Sequence, residues 1–137
     1  MKRVNVSLII TLIIGVMLSL WANGKVEAKR VDLRLAASAF VETLAREDFS
    51  DAVKSFGPPL NSSLSPEELR ETWKSILSKR GAFKKIVGIE SGRVEEYGGQ
   101  KFNVVVVECQ FERAKINVRI SFNSAARITS LWFVPPE

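Results

Sequence analysis

The chain has 137 residues, enough for one domain, and 46% of them are hydrophobic against 26% charged, the balance of a globular protein. Histidine is absent, which removes the usual general base near neutral pH and the commonest metal ligand, and a single cysteine excludes an intramolecular disulfide. The formal charge of +5 is spread over 20 basic and 15 acidic side chains with no Lys/Arg run longer than two, so it describes a solvated surface of mixed sign and not a nucleic-acid face.

Residues 1–28 begin with Lys2 and Arg3, continue through an uncharged run from Val4 to Trp21, and end with small side chains at Val26 and Ala28. That is the three-part pattern of a secretory signal peptide. The run also approaches the ~17–25 residues that span a bilayer, so a retained membrane anchor is the alternative. Either way residues 29–137 are expected outside the cytoplasm, secreted, periplasmic or anchored facing outward, because the two cations hold the N-terminus inside. The membrane is then touched only through an uncleaved N-terminal segment. The exported part forms a single domain, 29–137, with 17 Lys+Arg and 14 Asp+Glu, a formal +3.

Leu33, Ala37, Phe40, Val41 and Leu44 recur at helical spacing. Asp48 is placed to cap a second, short helix whose Phe49, Ala52, Val53 and Phe56 face inward, and Gly57-Pro58-Pro59 stops it. Residues 61–63, "NSS", read as loop and match a glycosylation sequon at Asn61. Ser65 and Glu68 have capping-box spacing around Pro66, and Leu69, Trp73, Ile76 and Leu77 form the apolar stripe of a third helix that Gly81 ends. From Phe83 the period changes to two. A long strand over 83–97, with a bulge expected near Gly88 or Gly92, leads through a Gly98-Gly99 turn to a strand over 101–113. Strands over 116–122 and 127–134 complete a meander that Pro135-Pro136 closes. The fold class is therefore α+β: three N-terminal helices packed on one face of a curved four-stranded antiparallel sheet.

The second strand is apolar on both sides. Val105, Val107, Cys109 and Phe111 alternate on one, which makes Cys109 an inert core thiol; Phe102, Val104 and Val106 lie on the other and need a cover. The long first strand, a twin subunit or a bound apolar molecule would each supply it. Trp132 and Phe133 are adjacent, so they point to opposite faces and one of them leaves the helix side. Trp73 and Phe83 pack on the sheet or wall a pocket. Glu108 and Glu112 share a strand side but stand roughly 13 Å apart, too far to act on one bond; salt bridges are expected, with Arg119 pairing to one of them.

The stretch from "AFVETLAREDFSDAVKSF" through "LSPEELRETWKSILSKRGAFKKI" to "ITSLWFVPP" resembles a domain family of unknown function found in exported prokaryotic proteins, sometimes ahead of an α/β-hydrolase domain. That family is similar to the nuclear transport factor 2-like superfamily, whose members wrap a curved sheet with helices into a cone. The resemblance rests on "EDF" at 47–49, Leu69 and Trp73, Gly81–Phe83 and the proline-closed last strand, packing positions that imply fold better than activity. The superfamily's enzymes often carry Asp, His or Tyr inside the cone; here histidine is missing, the aspartates lie in the helical half, and Tyr97 sits beside a turn.

The function expected is a non-catalytic extracytoplasmic binding module that meets a second copy or an envelope partner through the outer sheet face, with no cofactor, metal or nucleic acid. The alternative is a carrier or sensor of a small apolar ligand in a cone-shaped pocket. An enzyme working with carboxylates alone is the third reading. The candidate pocket or interface residues are Trp73, Phe83, Phe102, Val104, Val106, Trp132 and Phe133.

Overall fold

The computed structural model describes residues 31–136; the signal or anchor segment lies outside the described residues. Helix α1 (Leu33–Ala45) starts at Asp32, whose carboxylate accepts from the Arg34 N–H at 3.0 Å. Its expected stripe faces inward, with Ala37, Phe40, Val41 and Leu44 buried. Helix α2 (Phe49–Ala52) and a 3-10 turn (Val53–Ser55) follow, capped by Asp48, which accepts from the Asp51 N–H at 3.2 Å.

Residues 61–63 are not loop. They belong to a further short helix, α3 (Leu60–Ser63), so the described residues hold four α-helices rather than the three expected. The turn is held locally. The Ser63 hydroxyl donates to the Pro59 carbonyl at 2.6 Å, and the Leu64 N–H reaches the Leu60 carbonyl at 3.0 Å. One turn is too short to display an apolar period, which is why the pattern missed it.

Helix α4 (Pro66–Arg80) has the expected capping box. The Glu68 N–H donates to Ser65 Oγ at 3.2 Å and the Ser65 N–H to Glu68 Oε1 at 3.3 Å. Glu67 and Glu68 occupy its first turn, Lys79 and Arg80 its last, matching the helix dipole. Gly81 ends it at φ 84°, ψ −171°, backbone open to glycine alone, and a Cβ there would sit 2.6 Å from Glu112 Cβ.

Strands β1 (Phe83–Tyr97), β2 (Gln100–Phe111), β3 (Lys115–Phe122) and β4 (Ile128–Val134) form one open sheet in the order β1-β2-β3-β4, each neighbour antiparallel. β1 slips against β2 between Phe83 and Lys85, between Ile86 and Gly88, and between Glu90 and Arg93, so bulges occur near both expected glycines and at a third place. β2 stops at Phe111 and not at Arg113, because the Glu112 and Arg113 N–H groups leave the ladder for the Ala82 and Arg80 carbonyls at 2.9 and 2.8 Å.

The helices cover one face of the sheet. Val105, Val107, Cys109 and Phe111 of β2 and Ile116, Val118, Ile120 and Phe122 of β3 supply its buried floor. Cys109 is fully buried there, and loss of solvation, with the nearby Glu108 charge, pushes its thiol up to about 12. No helix among the described residues is long and apolar enough to cross a membrane.

Candidate functional site

The seven candidate side chains divide between the two faces of the sheet. Trp73, Phe83 and Phe133 lie on the helix side with Phe111. The Trp73 ring is 5.6 Å from Phe111, 6.2 Å from Phe83 and 6.3 Å from Phe133, centroid to centroid, and Phe83 meets Phe111 edge-on at 5.6 Å. These rings fill the space between α4 and the sheet, and Trp73 is 1% exposed. Phe102, Val104, Val106 and Trp132 lie on the opposite face, where the ladder sets Val104 against Ser121, Val106 against Arg119, and Arg119 against Trp132. Trp132 is 62% exposed while its neighbour Phe133 is packed inside, as their adjacency requires.

An ion pair supplies part of the cover that the second face needs. Arg119 of β3 donates to Glu95 of β1, so the pair crosses β2, which separates them. Glu95 stands opposite Phe102 and Arg119 opposite Val106. Val104 lies between those two on β2; it is 1% exposed although it is no part of the helix-side core. The expectation that Arg119 pairs with Glu108 or Glu112 is therefore corrected. Glu108 takes Lys115 at 3.4 Å, and Glu112 accepts from the Ala82 N–H at 3.0 Å. The bulged, 15-residue β1 brings Glu95 over β2, a reach that spacing within β2 and β3 does not reveal.

Tyr97, two residues on, hydrogen-bonds the same carboxylate through its hydroxyl at 3.2 Å and stacks obliquely on Phe102 at 6.2 Å. Around this row lies an open groove of about 570 Å³, with Tyr97, Phe102 and Trp132 as its aromatic walls and Ser121, Thr129 and Ser130 among its polar lining. Pro58 and Pro59 form part of the rim. They are strapped there because Phe56 bridges Ile128, the Gly57 N–H donates to the Ile128 carbonyl at 2.8 Å, and a Cβ on Gly57 would sit 2.7 Å from Arg127 Cβ. A second hollow of about 600 Å³ on the same face shares Arg119 and Trp132 and reaches Val134 and Asn117, whose buried Oδ1 has no hydrogen-bond partner.

Sequence reasoning missed Tyr97, Glu95 and the proline rim. The signal for the first two was present, because the Gly98-Gly99 turn sets Tyr97 against Gln100 and Glu95 against Phe102. Chemically the groove offers an exposed indole, a phenol, hydroxyls and a charge-paired guanidinium, a surface suited to apolar contact edged by hydrogen bonds. Among the described residues no three Cys, Asp or Glu side chains gather as a metal site.

A solved NMR structure of a protein from Ruminococcus gnavus ATCC 29149 has a similar fold, with a TM-score of 0.58 at 21% identity over 69% of this chain and 81% of that one. No curated protein matches. A family model described as "Protein of unknown function (DUF3887)" matches residues 37–131, which run from within α1 into β4 and so take in Trp73, Phe83 and Phe111 and most of the groove lining, and stop just before Trp132 and Phe133. The chain belongs to the DUF3887 family.

Proposed function

We propose that this domain is a non-catalytic extracytoplasmic binding module that works through the outer face of its sheet, taking up a second copy of itself or another envelope protein there. The observation that carries the reading is Trp132, a large indole 62% exposed on a sheet face, flanked by Phe102 and Tyr97 around a groove of about 570 Å³. Aromatic side chains of this kind dominate the energetics of protein interfaces. The helix-side aromatics are packed into the core, whereas Trp132, Tyr97 and Val134 leave apolar surface exposed on the outer face. Cys109, the single thiol, is buried with its proton held tightly, and the sequence has no histidine, which supports binding over catalysis. The signal-like N-terminal pattern supports export, and the helix-on-one-face arrangement with a bulged sheet supports kinship with the nuclear transport factor 2-like cone.

A second reading, a small apolar ligand in the groove, is favoured by one observation: its volume lies within the ~300–1,000 Å³ of small-molecule sites. Light scattering across a concentration series, with capture from an envelope extract, tests the first reading. It predicts a dimer or a captured partner that Trp132→Ala abolishes without loss of the fold. A monomer with no partner, alike in both proteins, contradicts it, and a small molecule released on denaturation in native mass spectrometry supports the second.

A further inference from the structure

The sequence never runs more than two cations together, yet the fold gathers three groups of them at one end of the domain. Helix α4 ends in Lys79 and Arg80, β1 opens on Phe83 with Lys84 and Lys85 next, and the β2–β3 connection carries Arg113 and leads to Lys115. Hydrogen bonds lace these segments together. The Arg113 N–H donates to the Arg80 carbonyl at 2.8 Å, the Arg113 guanidinium to the Ser78 carbonyl at 3.1 Å, and the Glu112 N–H to the Ala82 carbonyl at 2.9 Å. Across the ladder Lys85 and Lys115 flank Gln110 from its two sides. All six cations are exposed except Arg80, which is half-buried.

Two carboxylates face them. Glu112 is committed to the Ala82 N–H at 3.0 Å, and Glu108 lies 3.4 Å from Lys115. Among the described residues, Lys79, Arg80, Lys84, Lys85 and Arg113 have no carboxylate within ion-pair distance. The acids of α4, Glu67, Glu68 and Glu71, stand in its N-terminal half, so the helix concentrates opposite charge at its two ends.

From this clustering we infer that the cationic end docks on the surface of a bilayer containing anionic phospholipid. Charge complementarity carries the assignment: cations from three neighbouring segments, Lys79, Lys84 and Lys85 exposed and without an ion-pair partner among the described residues, match a diffuse negative surface, where each contributes about a fivefold gain in binding. None of the six lines the outer-face groove or its neighbouring hollow, so this surface is independent of the function proposed above. Where the apolar N-terminal segment is retained, as in the full-length chain, it offers a second route to the membrane, and two weak signals together hold a protein at a surface that neither holds alone.

The test uses the full-length chain and vesicles of phosphatidylcholine, alone or with one quarter phosphatidylglycerol, at low and high salt. The wild type is expected to bind the anionic vesicles at least about tenfold better at low salt and to lose that gain near 1 M salt, where screening is short-ranged. Lys84→Glu with Lys85→Glu removes most of the gain and leaves binding to the neutral vesicles, which reads the N-terminal segment, unchanged. Lys79→Gln with Lys84→Gln and Lys85→Gln, a milder set checked for an unchanged melting curve, reduces it in the same direction. No preference for anionic vesicles in the wild type, or the full preference kept by both variants, overturns the inference. Retention on an anionic polysaccharide with no vesicle preference assigns the end to a polymer and overturns it too.

Discussion

At the scale of single residues, the two described tryptophans have opposite duties. Trp73 is 1% exposed and touches Phe83, Phe111 and Phe133, so truncating it leaves a large hole among rings that cannot all close in. Trp73→Ala is expected to cost about 3–5 kcal/mol, whereas Trp132→Ala, 62% exposed, changes stability by about 0.5 kcal/mol or less, both measured by urea unfolding. Cys109 makes a prediction in pH. Its thiol is raised from an ordinary 9.0 to about 12 on folding, so the folded state holds the proton more tightly than the unfolded one. The stability it contributes is complete below pH ~9 and is lost as pH climbs toward ~12. The stability difference between wild type and Cys109→Ala therefore shifts against the wild type across that window, as read by melting temperature against pH. The burial of Cys109 and of Trp73 was legible in the alternation and the helical stripe, because both follow from periodicity alone.

At the scale of elements, the strands and long helices were legible wherever an apolar period ran for several residues. β1 was bounded at Phe83 and Tyr97, and α4 was announced by Ser65, Pro66 and Glu68. What escaped were features fixed by single hydrogen bonds. The turn of α3 rests on the Ser63 hydroxyl and one backbone bond, and the end of β2 rests on two N–H groups that donate to the carbonyls of Arg80, which ends α4, and Ala82, in the α4–β1 connection. The Arg119–Glu95 pair escaped for a related reason: it joins strands that are not ladder neighbours, and the bulges of β1 decide whether the two side chains meet. Both side chains are partly buried, at 34% and 23% exposed, so the pair is expected to be worth more than a fully solvated one. A double-mutant cycle with Glu95→Ala and Arg119→Ala should give a coupling of about 1 kcal/mol. A coupling indistinguishable from zero would mean that the pair is not what closes β2 over Val104.

At the scale of the whole molecule, the described residues form a helical layer on one face of an open antiparallel sheet, with the aromatic bulk sorted by face. The order of elements in the sequence revealed that layering, since helices first and strands second leave one sheet face for the helices to cover. The sequence did not reveal the groove, which depends on the Phe56–Pro59 strap reaching the edge of β4, nor the full cationic end, in which the stretch 79–85 meets Arg113 and Lys115 from about 30 residues on. Membership of a family without an assigned function adds a shared fold and no chemistry, so the account stands on which face is closed and which is open. The most direct measurement follows the indole N–H signals of Trp73 and Trp132 by NMR as the protein is concentrated and then mixed with envelope extract. The account predicts that the Trp132 signal moves or broadens with those of Phe102 and Ser121 while Trp73 stays fixed; a shift of Trp73 and its ring neighbours with Trp132 unmoved would contradict it.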